Sequence, residues 1–231
     1  MNDLAEGFAE AIRLLGHGDP ELWGIVARTL GISGLATLLA MVAGVPAGYA
    51  LARGRFRGRT VLLAAVNTGM GMPPVVIGLV VWLLLTRSGP LGGLELIYTR
   101  RAMVIAQFLI ATPLVVGFTA ASVQSLPPQL PDLLASLGAG RWRRLWLLSR
   151  EAKLGLLVAV MAGFGAIVSE VGASMTVGGN LRGSTRVLTT AIVTETGRGN
   201  LPIALALGLV LLALAFLVNL LLTLLQQRRT R

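Results

Sequence analysis

Long runs without a charged side chain are the feature that most constrains the fold of this chain. A helix needs about 20 mainly apolar residues to cross the hydrocarbon core of a bilayer, which is about 30 Å thick. The runs that meet or approach this length are Thr29–Ala52, Thr60–Thr86, Ala102–Pro131, Leu154–Ser169 with a continuation past Glu170 to Leu181, and Gly199–Gln227. The chain is also 55% apolar and only 13% charged, which lies outside soluble globular composition. The sequence therefore predicts an all-α integral membrane protein with about five transmembrane helices.

The positions of the charges predict which side of the membrane each loop occupies. With the N-terminus outside, the inner segments (53–59, 132–153 and the tail from 228) carry 12 Lys or Arg and 2 acids, whereas the outer segments carry 8 and 7. The positive-inside rule favours this arrangement over its inverse. We expect a multi-pass protein of the plasma (inner) membrane with a cytoplasmic C-terminus. The net charge of +10 then reflects topology, and we expect no nucleic-acid partner.

The chain before the first span predicts a short amphipathic helix. Asp3–Leu15 gathers its apolar residues on one face, so we expect this helix to lie on the outer membrane surface. Its acidic start and broken apolar content argue against a cleaved signal peptide. Asp19 followed by Pro20 is typical of a helix cap and first turn. Residues 1–21 are therefore taken as an outer N-terminal segment.

Two features of the first span and the loop after it have simple structural interpretations. Gly44 and Gly48 lie one helical turn apart, and this spacing permits close helix contact in lipid. The loop Arg53–Arg59 reads RGRFRGR, which is typical of a topology anchor at membrane phosphates.

The second span contains a predicted helix break. Residues 67–74 read NTGMGMPP, and glycine with proline loosens and interrupts a helix. Such a break is tolerated in a membrane only where protein or a water-filled cavity covers the freed backbone groups. The residues alone leave open whether it is a kink or lines a pathway. On the second interpretation, the candidate pathway and gate residues here are Thr68, Met70, Met72 and Pro73.

The fourth span carries one ionisable residue, Glu170. An ionisable group at membrane depth is a functional candidate, and the alternative is a structural role, paired with an outer arginine or with nearby hydroxyls or backbone amides. The hydroxyl-rich sequence that follows can hydrogen-bond an oxyanion, whereas a carboxylate would repel one. We therefore expect substrate contact from Thr68, Ser174 and Asn180, with Glu170 supporting the geometry. The candidate pathway residues of this segment are Ser169, Glu170, Ser174 and Asn180.

Asp132–Gly155 is a long basic segment between two spans, on the inner side of the membrane in the predicted orientation. Its apolar residues recur at intervals of three and four, and Gly138-Ala139-Gly140 interrupts them. This pattern predicts two short helices joined by a glycine elbow. Together they would present an apolar ridge with a charged rim.

The motifs that the sequence lacks exclude several functions. The lone lysine, Lys153, does not close a G-x-x-x-x-G-K phosphate loop, and no H-E-x-x-H, G-x-S-x-G or cysteine is present. The single histidine, His17, lies in a glycine-rich turn. We predict no catalytic residue, no metal site and no cofactor bound by this chain. If the chain uses energy, that energy would then come from a partner that docks on the inner face.

The segment Asp132–Gly155 resembles the cytoplasmic coupling loop of type-1 ABC importer permeases. The family motif reads roughly EAA, three residues, Gly, nine residues, Ile, one residue and Leu-Pro; here Asp and two leucines replace EAA, and Arg150-Glu151 stands in place of Leu-Pro. The resemblance covers about residues 22–226, a transmembrane domain with a coupling helix at 132–155, and leaves a basic tail at 227–231. It implies that the ATPase-coupling residues are Asp132, Leu133, Leu134, Leu137, Gly138, Ala139 and Leu148.

Within this family, two further stretches look like the permeases for molybdate, tungstate and sulfate. These are Asn67–Val81 and Ser169–Asn180, and the sequel Thr185–Gly199 is most similar to the tungstate-type permeases. The likeness implies a homodimer, two cytoplasmic ATPase subunits that bind ATP and Mg, and an extracytoplasmic oxyanion-binding protein that largely sets selectivity. Tungstate import is the function that it favours.

Three other functions remain open from the sequence. The first is a molybdate or sulfate permease of the same class. The second is an ion-driven secondary transporter that uses Glu170 for coupling. The odd number of spans and the lack of visible inverted repeats argue against such a transporter. The third is a membrane scaffold that transports nothing.

Overall fold

The computed structural model of the protein describes residues 5–6, 8–9, 12–13, 16, 20–127 and 129–227. Residues 20–227 of this described part fold into ten α-helices and one 3₁₀ turn, without a strand. The helices are α1 (Pro20–Arg53), α2 (Arg59–Met70), α3 (Pro74–Leu85), α4 (Arg100–Gln124), α5 (Leu130–Ser136), α6 (Arg141–Glu151), α7 (Lys153–Val168), α8 (Gly172–Gly178), α9 (Leu188–Gly197) and α10 (Leu201–Gln227); the 3₁₀ turn is Gly92–Leu94.

Three of these helices are long and apolar enough to cross a membrane alone: α1, α4 and α10. Two pairs of consecutive helices pass the same test only when each pair is counted as one bent span. The bend is 102° between α2 and α3, and 79° between α6 and α7. Three to five spans are therefore available, which agrees with the predicted all-α membrane class. The interruption predicted in the second span is confirmed as the bend between α2 and α3.

The central helix of the fold is α4, which packs against α1, α2, α3, α7 and α8. The contact between α4 and α1 is close because glycines of α1 face α4. A Cβ atom added to Gly48 would lie 2.7 Å from the carbonyl oxygen of Val116, and one added to Gly44 would lie 2.9 Å from the Val115 side chain. Since a real Cβ atom almost never approaches another atom so closely, the packing role predicted for these two glycines is confirmed.

Two of the arginines predicted to anchor the loop at lipid phosphates make hydrogen bonds within the chain. Arg53 donates hydrogen bonds from Nη2 to the carbonyl oxygens of Val123 and Leu126, at 2.9 and 3.3 Å. Arg59 donates from Nε to the Leu51 carbonyl at 2.7 Å. These carbonyls lie at helix ends, where no intrahelical partner is available. The basic loop therefore fastens the adjacent ends of α1 and α4 together.

At the start of the chain, the described residues 5–6, 8–9, 12–13 and 16 are helical, as predicted. The side chains of Phe8 and Ile12 are 56% and 70% exposed, which fits an apolar face turned towards lipid. Helix α1 begins at Pro20, the residue expected in its first turn. The predicted cap, Asp19, lies outside the described residues.

Candidate pathway between two broken helices

The first break separates α2 from α3 at residues 71–73. The amide of Gly71 still donates to the Thr68 carbonyl at 3.1 Å and that of Met72 to the Gly69 carbonyl at 3.4 Å. Pro73 has no N–H to continue the ladder. The following proline, Pro74, then begins α3 in a new direction. The break is thus encoded locally by consecutive residues.

The second break lies at residues 169–171, and here the sequence analysis needs correcting. We expected the fourth span to continue past Glu170 to Leu181, but α7 ends at Val168 and a separate short helix begins at Gly172. The Glu170 carboxylate accepts a hydrogen bond from the backbone amide of Ala173 at 2.7 Å. A carboxylate in this position satisfies an amide at a helix start and interacts favourably with the helix dipole, which explains why the chain restarts there.

Glu170 makes no ion pair with an arginine in the described part of the chain. Of the partners considered from the sequence, the backbone amide is the one present, and the Glu170 carbonyl also accepts from the Thr189 hydroxyl at 2.9 Å. Arg182 instead pairs with Glu21 at the start of α1. The observed contacts of Glu170 are those of a structural cap.

The two breaks lie side by side, because α3 packs directly on α8. A Cβ atom added to Gly78 would lie 2.5 Å from the Cα atom of Ala173, and one added to Gly172 would lie 3.2 Å from the Val75 side chain. Backbones approach this closely only where one helix carries glycine. The structure thus brings the two predicted pathway segments together at one place.

A buried amide that the sequence analysis missed lies behind this contact. Gln107 of α4 is only 3% exposed and donates from Nε2 to the Ser174 hydroxyl at 3.4 Å. Its Oε1 atom has no hydrogen-bond partner among the described residues. The available signal was an amide side chain inside a charge-free span, since polar side chains in membrane helices face the protein interior.

The hydroxyls expected to bind an oxyanion are largely engaged elsewhere. Each hydroxyl has one proton to donate, and most of those after Glu170 give it to a backbone carbonyl. The pairs are Thr176 with Gly172, Thr185 with Gly178, Thr189 with Glu170, Thr190 with Val187 and Thr194 with Thr190. In this conformation the hydroxyl protons therefore stabilise the fold.

The three residues predicted to contact the substrate also differ in their exposure and in their hydrogen-bond partners. The Thr68 hydroxyl, although exposed, donates to the Ala64 carbonyl, and Ser174 is 1% exposed. Asn180, in a left-handed conformation with φ 49°, donates to the Thr194 hydroxyl at 2.6 Å. None of the three has a side-chain contact with another, so substrate binding by this set stays a prediction.

Of the predicted gate residues at the two bends, Met70 packs internally, whereas Met72, Pro73 and Ser169 are exposed. Met70 contacts α4, where its sulfur would lie 2.5 Å from a Cβ atom added to Gly117. Met72 is 41% exposed and Pro73 is also exposed. Ser169 is exposed as well and donates back to the Gly165 carbonyl. Met72, Pro73 and Ser169 are therefore accessible to another molecule, as is Thr68 on α2.

The basic segment after α4 forms the predicted pair of short helices, α5 and α6. Gly138 between them has φ 77°, and the amides of Gly138 and Ala139 donate to carbonyls of α5 at 3.0 Å. A left-handed glycine with these bonds is a typical helix end. The apolar ridge is exposed, with exposed fractions of 56% for Leu133, 74% for Leu137, 80% for Trp142 and 59% for Trp146.

One residue of the proposed coupling set is placed differently from the expectation. Leu148 is 0% exposed, because it lies two residues after Trp146 and so points to the opposite side of α6. Asp132, Leu133 and Gly138 are exposed, whereas Leu134 and Ala139 are partly buried. The exposed ridge therefore runs from Leu133 to Trp146, and its contact with an ATPase stays a prediction.

The sequence of residues 43–231 matches the family model described as binding-protein-dependent transport system inner membrane component. The chain belongs to this family, and it is a permease subunit of the type-1 ABC importer class. It is 39% identical over 219 residues to the tungstate uptake system permease protein TupB of Peptoclostridium acidaminophilum, covering 95% of this chain and 96% of that protein.

Two further comparisons agree with this class. The chain is 42% identical over 200 residues to a probable anion ABC transporter permease protein of Haloferax volcanii, with 84% of this chain and 86% of that protein covered. Its fold is similar to that of a chain from the MetNI methionine ABC transporter in an inward-facing conformation, with a TM-score of 0.73, 20% sequence identity, and coverage of 92% of this chain and 99% of the other.

Proposed function

We propose that this permease imports tungstate, delivered by an extracytoplasmic binding protein and driven by a separate ATPase. The observation that carries the proposal is the 39% identity to a tungstate uptake permease along almost the whole of both chains. The likeness of residues 185–199 to tungstate-type permeases supports the same substrate. Molybdate or sulfate import by the same class of machine is the second candidate.

The proposed assembly is a homodimer with two ATPase subunits beneath it. The exposed ridge of α5 and α6 supports an ATPase contact, because Leu137 and Trp142 are 74% and 80% exposed on a segment rimmed by arginines. Exposed aromatic anchors within a polar rim are typical of protein interfaces. ATP and Mg would be bound by the ATPase, and this chain would bind no cofactor.

The pathway is proposed to run between the two copies, past the bend at residues 71–73. Met72 and Pro73 are exposed there, and α2 has no buried residue within the chain. Methionine adapts its shape to a changing contact, which suits a constriction that opens and closes. The cap made by Glu170 would hold α8 against α3 and keep this region in shape.

An uptake experiment tests the proposed substrate. Cells that lack their own tungstate, molybdate and sulfate importers would express this permease with its partner ATPase and binding protein. Accumulated tungsten, molybdenum and sulfur would be measured by mass spectrometry after exposure to each oxyanion alone and in competition. We expect tungstate uptake that an excess of molybdate or sulfate reduces only weakly.

The binding protein can be exchanged to separate its contribution from that of the permease. Uptake with a molybdate-specific binding protein that still docks would test whether the permease passes either anion. Preferential uptake of molybdate or sulfate with the native partners would contradict the tungstate assignment while leaving the transporter class intact.

A further inference from the structure

An arginine-rimmed groove lies between α1, α4 and the segment that precedes α4. It is an open cavity of about 820 Å³. Its rim carries Arg28, Arg100 and Arg101, and its apolar walls include Leu35, Val104 and Ile105. The twelve described residues that line it include no acid; besides the three arginines, all are glycine, alanine, leucine, isoleucine or valine. The groove is therefore basic at one end and apolar along its length.

The rim arginines are held in place by the loop before α9. Arg28 donates from Nε to the Arg186 carbonyl at 3.0 Å, and Arg100 donates from Nε to the Ser184 carbonyl at 2.9 Å. These bonds involve neutral carbonyls, so they fix the guanidinium groups without neutralising their charge. Arg101 has no ion pair within the described residues. Three positive charges are thus gathered at the rim, and Glu21, which pairs with Arg182, is an acid that also interacts with Arg28.

The position of this charge is unusual for the topology of the chain. In the predicted orientation, the rim lies on the outer side, where the positive-inside rule expects few arginines. The apolar wall from Arg28 to Leu35 extends for about 10 Å along α1, which is the direction of an acyl chain in the bilayer. The combination matches an amphiphile with an anionic head and an apolar tail.

We propose that the groove is a binding site for an anionic phospholipid such as phosphatidylglycerol. The phosphate would accept hydrogen bonds from Arg100 and Arg101, since guanidinium groups recognise phosphate well. One acyl chain would lie along the wall beside Gly31. The bound lipid would fill the space between α1 and α4, next to the loop before α9 whose carbonyls accept hydrogen bonds from Arg28 and Arg100.

The test uses native mass spectrometry of the purified protein after incubation with equal amounts of dioleoyl phosphatidylglycerol and dioleoyl phosphatidylcholine. We expect preferential retention of one phosphatidylglycerol per chain. Arg101→Gln should weaken this retention about fivefold, since one basic contact with an anionic head is lost. Arg87→Gln, at an exposed arginine that does not line the groove, should leave it unchanged.

A second pair of variants tests the apolar wall. A Cβ atom added to Gly31 or to Gly34 meets no atom within 4 Å, but only Gly31 lines the groove. Gly31→Phe should fill the space and release the lipid, and Gly34→Phe should retain it. Both variants should keep the thermal stability of the parent protein measured without added lipid.

Three outcomes would overturn the proposal. Equal retention of the two lipids would remove the role of charge. Displacement of the lipid by millimolar tungstate or sulfate would indicate that the rim binds a free oxyanion. Loss of the dimer mass in Gly31→Phe, but not in Gly34→Phe, would indicate that a second copy of the chain occupies the groove. Each measurement is made without transport, so none depends on the proposed substrate.

Discussion

Glu170 illustrates how a single charged residue within an apolar sequence can be structural. Its carboxylate accepts from the Ala173 amide, and its carbonyl accepts from Thr189. It therefore joins the start of α8 to α9 and interrupts a span that would otherwise continue. A dianionic substrate would be repelled by this carboxylate, by about 1 kcal/mol per charge pair at 4 Å in water and by more at a lower effective dielectric.

We expect Glu170→Gln to retain most uptake and Glu170→Ala to reduce both uptake and stability. The glutamine oxygen can still accept from the Ala173 amide, whereas alanine leaves that amide unpaired at a cost of about 1 kcal/mol. Thermal unfolding of the detergent-purified protein should then occur about 2–4 °C lower for the alanine variant. Uptake is measured in cells that express the same variants with the partner ATPase and binding protein.

A glutamine variant that folds normally but transports nothing would show that the charge itself is required. Glu95→Gln is a suitable control, because Glu95 is an exposed carboxylate at the end of the 3₁₀ turn. It should change neither uptake nor the temperature of unfolding by as much as the alanine variant of Glu170.

Gln107 and Leu148 mark the limit of what the sequence predicts about single residues. The break at Gly71–Pro73 follows from neighbouring residues, because proline lacks an amide proton wherever the helix lies. The burial of Leu148 and the contact of Gln107 with Ser174 depend instead on how helices are rotated and packed. Periodicity indicates that α6 has two faces, but it does not say which apolar residues the rest of the chain covers.

At the scale of elements, an experiment can distinguish the roles of the two methionines next to the first break. The chain contains no cysteine, so an introduced cysteine reports on its own position. We expect Met72→Cys to cross-link to the same residue in a second copy in one nucleotide state, because Met72 is exposed at the bend. Met70→Cys should not, since Met70 packs against Gly117 within the chain.

Cross-linking would be read as a dimer band on a denaturing gel, with the partner ATPase present and nucleotide varied. Equal cross-linking of the two variants, or none in any state, would count against a gate at the dimer axis.

The connection between α5 and α6 offers a matched pair of glycines. Gly138 has φ 77°, which costs an L-residue roughly 1–2 kcal/mol, and a β-branched side chain fits there poorly. Gly140 has φ −63°, which valine adopts readily. We expect Gly138→Val to lower co-purification of the ATPase several-fold while membrane insertion persists, and Gly140→Val to retain both.

Neither glycine has an atom within 4 Å of an added Cβ, so a steric clash does not distinguish them. Undiminished recovery of the ATPase with Gly138→Val would show that the angle between α5 and α6 does not control docking.

At the scale of the whole molecule, the all-α membrane class and the approximate number of spans follow from the sequence, but the division of those spans into helices does not. The charge-free runs predicted about five spans, and three long helices with two bent pairs are present. The fourth run divides at Glu170, whose carboxylate caps the start of α8 locally, whereas the contact that holds α8 against α3 joins residues far apart in the chain. Such contacts have no periodic signal along the sequence.

The predicted orientation can be measured with the same cysteine-free background. Gly93→Cys lies in the exposed 3₁₀ turn between α3 and α4, and Arg57→Cys lies in the loop after α1. We expect a membrane-impermeant maleimide to label residue 93 in intact spheroplasts and residue 57 only after the membrane is permeabilised. The opposite pattern would invert the orientation and the side on which the ATPase docks.

The contact between Gly78 and Ala173 constrains how the protein can move. With backbones this close, α3 and α8 have no room to slide or to admit a side chain between them, so they must turn as one rigid body. A hinge inside the chain is then better placed at the bends, at residues 71–73 and 169–171, than within the packed helices. Movement in this part of the chain would be a rotation of the α3–α8 pair about the joints at its ends.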